Sequence, residues 1–437
     1  MLPVLPFDII ALIIDIVGEN KDTNLLKKLA LVSYSFHQIC SKHIFATVKL
    51  QNAIPSRNIA SSKKGFVELL KSRPDVVKHI RKLTYKMGRY SYDVHPSQLT
   101  HTLPNFDHDY HLLPPILPNS LRTIPLLNSL EIGASPASLL DWTQLNSSLI
   151  SAFLHLMHLP TLHHIDLSLI HNFPMSSLAP SVNLLRLDIS RLSCVDGLED
   201  PGFVVQFPKI REFHISESSL PTRKLLHAKT QDGRPAFNFL DLRRLSLTSV
   251  YSKDESNIPY LLQNAKLLEE LHLMVRDDQN LVGLHDIVSP TLKVFNLTVS
   301  YYSDPLPLQV TRLYKELEAM ARHNMLEVLS FEVQVDGNRT EDFIGSILQK
   351  VEEALFKPGW SALRQVFFRV SIGHFLASRE DSVKLSEAIR SLPDKYFSHL
   401  PKLESVAFNF SIHVFRKPSK WKRRLTWIGE TCRRSGL

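Results

Sequence analysis

The sequence predicts an α/β protein in which a helical segment at the N-terminus precedes a long, irregular solenoid built around parallel strands. Three observations lead to this fold class. Apolar residues recur at helical spacing over the first 45 residues. A short aliphatic pattern then recurs eleven times between residues 80 and 408. Amphipathic stretches lie between several copies, which is the arrangement that parallel strands joined by crossover helices require.

The first predicted helix spans Leu5–Val17, with the sequence LPFDIIALIIDIV. Pro6 suits the first turn, because a proline lacks the N–H group that stays unpaired there. Asp8 is favourable near the positive end of the helix dipole. After Asp8 only Ala11 and Asp15 interrupt a run of large apolar residues. Such a helix is apolar on nearly all sides, so one face can pack on its own domain and we expect the other to contact a partner.

Two further helical segments complete the N-terminal pattern. Leu25, Leu26 and Leu29 have helical spacing, and the stretch LVSYSFHQIC runs from Leu31 to Cys40. With the opening Leu-Pro and the isoleucine-rich first helix, this combination resembles an F-box, although Phe36 stands where F-boxes usually carry Trp.

The resemblance covers about 50 residues and implies a three-helix unit that binds a Skp-type adaptor, which links it to a cullin-RING ubiquitin ligase. A unit of about 45 residues is close to the size at which a single core no longer suffices, so a partner on its spare apolar face is also expected physically. The residues predicted to contact the adaptor are Leu5, Pro6, Ile9, Ile10, Ile13, Ile14, Val17, Leu31, Val32 and Phe36.

The composition restricts the class of protein. The chain has 437 residues, of which 44% are hydrophobic and 22% charged, as is typical of folded protein. No apolar run is long enough for a membrane span, and the N-terminus lacks the basic region of a signal peptide. The three cysteines, Cys40, Cys194 and Cys432, are far apart and suit a reducing compartment. We therefore expect a cytoplasmic or nuclear protein, or one found in both.

The recurring pattern has an aliphatic residue, two others, an aliphatic, one other and a third aliphatic. Its copies run from Ile80/Leu83/Tyr85 to Leu403/Val406/Phe408 at intervals of 22 to 47 residues. The last two positions alternate as a half-buried strand demands, and self-similarity at this scale predicts a solenoid. The pattern resembles leucine-rich repeats, but no copy has their Asn or Cys eight residues after the first aliphatic. The resemblance implies an irregular solenoid with a parallel concave sheet and convex helices.

The predicted organisation is a helical domain at 1–50, a connector with a short helix at 51–75, and the solenoid at 76–437. An exposed insertion is expected at 86–120, where prolines and histidines concentrate. Convex-side helices are predicted over Ser138–His158, Leu308–Arg322, Glu341–Phe356 and Ser382–Leu392.

The C-terminal tail carries most of the net charge. From Arg416 onward eight basic residues face one acidic residue, so +7 of the total +8 lies there. Trp421, Leu425, Ile428 and Cys432 fall on one side of a helix near 419–434. We predict a cap on the solenoid end. A basic contact with an acidic partner is the less favoured interpretation, and nucleic-acid binding is not expected.

No motif indicates an enzyme. The chain has no nucleophile elbow, Walker loop, Gly-x-Gly-x-x-Gly or His-Glu-x-x-His motif. Asp107, His108, Asp109 and His111 could bind a metal, but they lie in the predicted insertion, where fixed ligand geometry is not expected. We therefore predict no catalytic residues, no metal and no cofactor.

Outward-facing positions between the strand aliphatics are the predicted target-binding residues, because solenoids bind partners on the concave face. Most are polar, and Phe367 is an aromatic exception that suits a contact anchor. The candidates are Asp166, Asp188, His214, Arg244, His272, Phe367 and Arg369.

The function expected from these patterns is that of a substrate receptor in an SCF-type ubiquitin ligase. The alternative is a scaffold without ligase coupling, in which the N-terminal helices cap the repeat array.

Overall fold

The computed structural model describes residues 6–20, 22–51, 62–87, 116–134, 139–194, 208–229, 235–248, 257–276, 291–301, 315–321, 325–336, 341–373, 379–392 and 406–415. The chain is mixed α/β, and twelve of its strands belong to a parallel sheet, which confirms the predicted fold class at this level. Most of the predicted insertion, including Asp107, His108, Asp109 and His111, lies outside the described residues, as does the predicted cap helix.

The described residues divide into two compact units. One holds those up to residue 208 together with 228–229 and 235–237, and the other holds 209–227 and those from 238 onward. None of the helices in the described part of the chain combines the length and apolarity that crossing a bilayer would need.

The first unit begins with three helices: α1 (Phe7–Glu19), α2 (Thr23–Leu29) and α3 (Tyr34–Ile44). Side-chain caps fix where the second and third begin, because the Asp22 carboxylate accepts a hydrogen bond from the Leu25 N–H and the Ser33 hydroxyl oxygen accepts one from the Phe36 N–H. The core between the helices is small and consists of the buried residues Ile14, Leu26 and Cys40, with Ile10, Val17, Leu29, Ala30, Phe36, Ile39 and Ile44 packed around them.

The strands of the first unit form part of the large sheet in the order β1 (Thr47–Gln51), β2 (Lys82–Met87), β3 (Ser129–Ala134), β5 (His164–Ser168) and β7 (Arg186–Ser190). A separate two-stranded sheet pairs β4 (Leu140–Asp141) with β6 (Ile170–His171). Strand β1 was not predicted, yet Phe45, Val48 and Leu50 have the spacing of the repeats. Val48 lies opposite Leu83 of β2, so the sheet extends one strand further toward the N-terminus than expected.

The helices that follow in this unit are α4 (Ser62–Ser72), α5 (Leu117–Arg122) and α6 (Ser147–Met157). The helix predicted over Ser138–His158 begins only at Ser147. Residues 140–144 form β4 and a 3-10 turn, and the Asn146 side chain caps α6 by accepting a hydrogen bond from the Ser148 N–H at 2.8 Å.

The second unit contains the strands β8 (Glu212–Ser216), β9 (Arg244–Thr248), β10 (Glu270–Arg276), β11 (Val294–Tyr301), β12 (Val328–Asp336), β13 (Gln365–Gly373) and β14 (Ala407–Phe415), paired in chain order. Its helices include α7 (Ser219–His227), α8 (Asn257–Asn264), α9 (Glu341–Leu355) and α10 (Arg379–Arg390), and residues 315–320 are also helical. The helices predicted near 308–322, 341–356 and 382–392 thus correspond to observed helical residues.

One backbone arrangement recurs before the strands of both units. The Asn128 carbonyl accepts hydrogen bonds from the N–H groups of His163 and His164 at 3.0 and 3.1 Å, and the Lys293 carbonyl accepts them from Glu327 and Val328 at 2.8 and 3.0 Å. The carbonyls that each accept two such bonds are those of Ala46, Arg81, Asn128, His163, Arg211, Arg243, Glu269, Lys293 and Glu327. Successive copies of the pattern are therefore equivalent in their backbone contacts as well as in sequence.

The residues that follow three of the strands share one backbone conformation. Leu169, Arg191 and Glu217 directly follow β5, β7 and β8 and have φ values of 58°, 48° and 48°. This left-handed conformation is uncommon outside glycine. The same turn therefore ends these strands without a glycine to signal it in the sequence.

Candidate functional site

The N-terminal helices expose many large apolar side chains. Leu31 is 87% exposed and Val32 65%, at the turn between α2 and α3. Together with seven others that are more than a third exposed, they form what we call the N-terminal apolar surface: Phe7, Ile9, Leu12, Ile13, Ile16, Leu25, Leu31, Val32 and Tyr34.

The exposure follows from the sequence of α1. Ile10, Ile14 and Val17 recur at helical spacing and face the small core. Ile9 and Ile13 lie on another side of the same helix and are 42% and 46% exposed. Exposed single apolar residues are ordinary, but a helix that is apolar on both sides indicates that a second surface packs against it.

The predicted adaptor-contacting residues separate into three groups. Leu5 lies outside the described residues. Ile14 is 1% exposed inside the core, so its side chain is occupied there. Pro6, Ile9, Ile13, Leu31 and Val32 are exposed, whereas Ile10, Val17 and Phe36 are half-buried against the core.

Five members of the N-terminal apolar surface were not predicted. They are Phe7, Leu12, Ile16, Leu25 and Tyr34. For those in α1 the available signal was the nearly continuous apolar run, which indicates a helix with two apolar sides but not which residue lies on each side.

An ion-pair cluster holds α1 against α3. The Asp15 carboxylate accepts hydrogen bonds from Lys42 Nζ and His43 Nε2, each at 2.7 Å. The hydrogen bonds from Lys42 and His43 lower the pKa of Asp15, and the one from Lys42 has the larger effect. Gly18 leaves room for the His43 ring, because a Cβ atom on Gly18 would collide with it. The exposed side of α1 is therefore fixed in orientation relative to α3.

The first-unit polar face is the side of the sheet that carries the polar residues of β2, β3, β5 and β7. Glu131, Asp166 and Asp188 lie in register on three adjacent strands. Glu131 is held by Lys86 Nζ at 2.7 Å and accepts a hydrogen bond from the Thr84 hydroxyl at 2.9 Å.

Asp188 contacts an arginine and a histidine. The Arg186 guanidinium donates to both of its carboxylate oxygens at 2.9 to 3.1 Å, and His164 Nε2 lies 3.0 Å from Oδ2. Burial alone would raise the pKa of Asp188, but the hydrogen bonds from His164 and Arg186 outweigh it and lower the pKa.

Asp166 lies between these two carboxylates. Burial raises the pKa of Asp166 to about 6, and the negative charges of Glu131 and Asp188 add to the increase. The middle carboxyl of the row therefore changes its charge under mildly acidic conditions, at which the other two stay ionised.

This difference predicts a pH dependence of stability. The folded protein holds the Asp166 proton more tightly than the unfolded chain, in which the carboxyl has its ordinary pKa of 3.8. Stability is therefore lost as the pH rises from about 4 through about 6. Asp166→Asn should raise the free energy of unfolding at pH 7.5 by about 1 kcal/mol, after allowance for solvent screening, and the gain should vanish at pH 4. Urea unfolding at the two pH values measures this.

Asp188→Asn is the matched control. It removes the charge that pairs with Arg186 and His164, so it should lower stability at pH 7.5. A loss of stability at pH 7.5 in Asp166→Asn as well would contradict the assignment of the raised pKa to Asp166.

The second-unit polar face is the corresponding side of β8 to β14. Arg244 bridges neighbouring strands, with its guanidinium 2.9 Å from Glu212 and 3.3 Å from Glu270. A row of side chains runs next to the Arg244 ion pairs, in register across the seven strands: His214, Ser246, His272, Asn296, Ser330, Phe367 and Asn409.

This row contains two histidines, His214 and His272, and one aromatic residue, Phe367. Burial lowers the pKa of His272 more than Glu270 and Glu332 raise it, so its imidazole is neutral near pH 7. Phe367 is 39% exposed between Ser330 and Asn409. The row therefore offers hydrogen-bonding groups with one apolar anchor.

Arg369 lies one row further along, opposite Glu332, at an N–O distance of 3.9 Å. The Glu332 carboxylate also accepts hydrogen bonds from the Ser371 hydroxyl at 2.7 Å and from Gln334 Nε2 at 3.1 Å. The structure thus brings Asp166 and Asp188 together on the first-unit polar face. His214, Arg244, His272, Phe367 and Arg369 belong to the second-unit polar face.

Comparisons with known proteins add no assignment. No protein-family model matches this chain, and no curated protein resembles it significantly.

The part of the chain that the structure describes contains no group of three or more His, Cys, Asp or Glu placed to hold a metal ion. Cys40 and Cys194 are both buried, and burial raises the pKa of the Cys40 thiol. Burial of an unactivated thiol is typical of a structural cysteine.

Proposed function

We propose that this chain is a substrate-receptor subunit of an SCF-type cullin-RING ubiquitin ligase. Its N-terminal helices would bind a Skp-type adaptor, and its sheet would bind a target protein. The observation that supports this most is the N-terminal apolar surface, because Ile13 on α1 and Leu31 and Val32 in the turn before α3 are exposed and do not belong to the small core.

The energetics favour a partner on that surface. Burying one exposed Leu or Ile side chain completely contributes about 1.5–3 kcal/mol. Several such side chains at the centre of an interface are sufficient for a stable complex. The F-box resemblance of Leu31-Val32-Ser33 and the preceding helices is the reason for choosing a Skp-type adaptor among possible partners.

The sheet is the proposed target-binding region of an irregular, leucine-rich-repeat-like solenoid. The recurring carbonyl that accepts two N–H groups supports a repeat architecture. The two polar faces supply hydrogen-bonding and charged groups, with Asp166 and Asp188 on one and His214, Arg244, His272, Phe367 and Arg369 on the other. Catalysis would be by proximity, since a bound target has a high effective concentration near the ubiquitin carrier. We place the protein in the cytoplasm, the nucleus or both.

A scaffold without ligase coupling is the second candidate, and one observation favours it. The helical segment is bonded to the sheet, because the Ala46 carbonyl, just after α3, accepts hydrogen bonds from Arg81 and Lys82 at 2.9 and 2.8 Å. In addition, Arg73 Nη1 lies 3.1 Å from His37 Nε2. If the chain is such a scaffold, deleting residues 1–45 should unfold the sheet. If the chain is a substrate receptor, the sheet should stay folded after the deletion.

Affinity capture with a Skp-type adaptor tests the proposal. The full chain should co-purify with the adaptor, and Leu31→Asp should reduce the recovered adaptor about 30-fold, as expected for an interface residue contributing about 2 kcal/mol. Leu240→Asp is the control, because Leu240 is also exposed, at 53%, but lies far from the helices in sequence. Equal recovery from the two variants, or no recovery with the unmodified chain, would overturn the proposal.

A further inference from the structure

Three side chains on the first-unit polar face form a continuous chain of hydrogen bonds. The Ser129 hydroxyl lies 3.0 Å from His164 Nδ1, and His164 Nε2 lies 3.0 Å from Asp188 Oδ2. The three residues belong to the neighbouring strands β3, β5 and β7. They are 35 and 24 residues apart in the sequence, so no local motif indicates that they meet.

The hydrogen bonds assign a role to each ring nitrogen of His164. An ionised carboxylate can only accept, so Nε2 carries the ring proton and donates it to Asp188. In the neutral imidazole Nδ1 is then an acceptor, and the Ser129 hydroxyl donates to it. This is the order of nucleophile, general base and positioning carboxylate that Ser-His-Asp hydrolases of unrelated folds share, although in the best-known examples Nε2 faces the serine.

Neighbouring charges support the same roles. The Arg186 guanidinium donates to both oxygens of Asp188, which keeps that carboxylate ionised and fixed in orientation. Lys82 of β2 is the register partner of Ser129, so Ser129 lies between Lys82 and His164. Because neighbouring strands are about 4.8 Å apart, the Lys82 ammonium group can reach and stabilise an oxyanion formed at Ser129. The His164 side chain is 23% exposed, so a small molecule has access to the ring.

We propose that Ser129, His164 and Asp188 form a nucleophilic site that hydrolyses small carboxylic esters. Ser129 Oγ forms a bond to the acyl carbon while its proton passes to His164 Nδ1, and the leaving alkoxide takes that proton as its own bond to the acyl carbon breaks. Water then attacks the acyl-serine and gives a proton to Nδ1, and Ser129 recovers that proton as the carboxylic acid is released. Ser129 and His164 are the catalytic residues, and Asp188 is a positioning residue. This activity goes beyond the proposed function and needs no adaptor.

A fluorophosphonate probe tests the nucleophilicity of Ser129 in the full chain, with the labelled peptide located by mass spectrometry. Ser129 should be labelled in the folded protein and not in denaturing urea. His164→Gln keeps an acceptor for the Ser129 hydroxyl but cannot take its proton, so it should slow labelling about 100-fold or more. Ser190→Ala is the control, because Ser190 lies on the same side of β7 as Asp188 but outside the hydrogen-bonded chain. Its labelling rate should equal that of the unmodified protein.

Hydrolysis of p-nitrophenyl acetate tests turnover at the same site. Ser129→Ala and His164→Gln should lose the same part of the rate, and urea unfolding shows that each variant is folded. Labelling of Ser129 that is no faster in the folded, unmodified chain than in urea would overturn the inference without any variant. Equal labelling of Ser129 in His164→Gln, or unchanged hydrolysis in Ser129→Ala, would overturn it as well, since the hydrogen bonds would then be structural only.

Discussion

Ile14→Ala is expected to lower the free energy of unfolding of the N-terminal helices by about 2–4 kcal/mol, because it opens a cavity in a small core. Ile14 is 1% exposed and shares that core with Leu26 and Cys40. Because this core contains few buried residues, few neighbouring side chains can move into the cavity. Hydrogen exchange of peptides from residues 7–44, measured in the full chain, reports the change.

Ile13→Ala is the matched variant, one residue earlier. The Ile13 side chain is 46% exposed, so its removal should change stability by less than about 0.5 kcal/mol. The same variant should weaken adaptor binding if the proposed function is correct. Comparable exchange rates in the two variants would contradict the assignment of Ile14 to the core and Ile13 to the N-terminal apolar surface.

Gly133→Ala is expected to destabilise the first unit by about 1–3 kcal/mol through overpacking. Gly133 lies in β3 opposite Ser168 of β5. A Cβ atom on Gly133 would collide with both the carbonyl oxygen and the hydroxyl of Ser168. Because one of these atoms belongs to the backbone of a paired strand, a rotamer change alone cannot relieve the collision. Urea or thermal unfolding measures the loss.

Gly65→Ala should have the opposite effect. Gly65 lies within α4, and apart from its chain neighbours and the backbone of its own helix no atom lies within 4 Å of the position its Cβ would occupy. Alanine in a helix interior is favoured over glycine by about 0.5–1 kcal/mol. If both substitutions destabilised the protein equally, the loss in Gly133→Ala would reflect a general intolerance of substitution rather than the contact with Ser168.

The parallel strands could be predicted because aliphatic residues two positions apart indicate a strand with one buried side. Leu130 and Ile132 of β3 and Leu329 and Phe331 of β12 are all 0–1% exposed, as their spacing predicts. The first strand was not predicted, because Val48 and Leu50 lie within residues 1–50, which the F-box resemblance implied to be helical.

Other features depend on tertiary contacts that a sequence does not contain. The helix expected from Ser138 begins at Ser147, since the Asn146 cap and the pairing of β4 with β6 compete with the helix. The raised pKa of Asp166 depends on which residues lie opposite it on neighbouring strands. The apolar run of α1 likewise could not show that Ile14 faces the core while Ile13 faces solvent.

Calorimetric titration of the purified full chain with a purified Skp-type adaptor tests the central claim most directly. The claim is that the exposed apolar residues of the N-terminal helices form a binding surface for that adaptor. We expect saturable binding with a negative heat-capacity change, as burial of apolar surface requires, lost in Ile13→Asp and retained in Leu240→Asp. No detectable binding at about 100 μM adaptor, or binding that Ile13→Asp leaves unchanged, would contradict the claim.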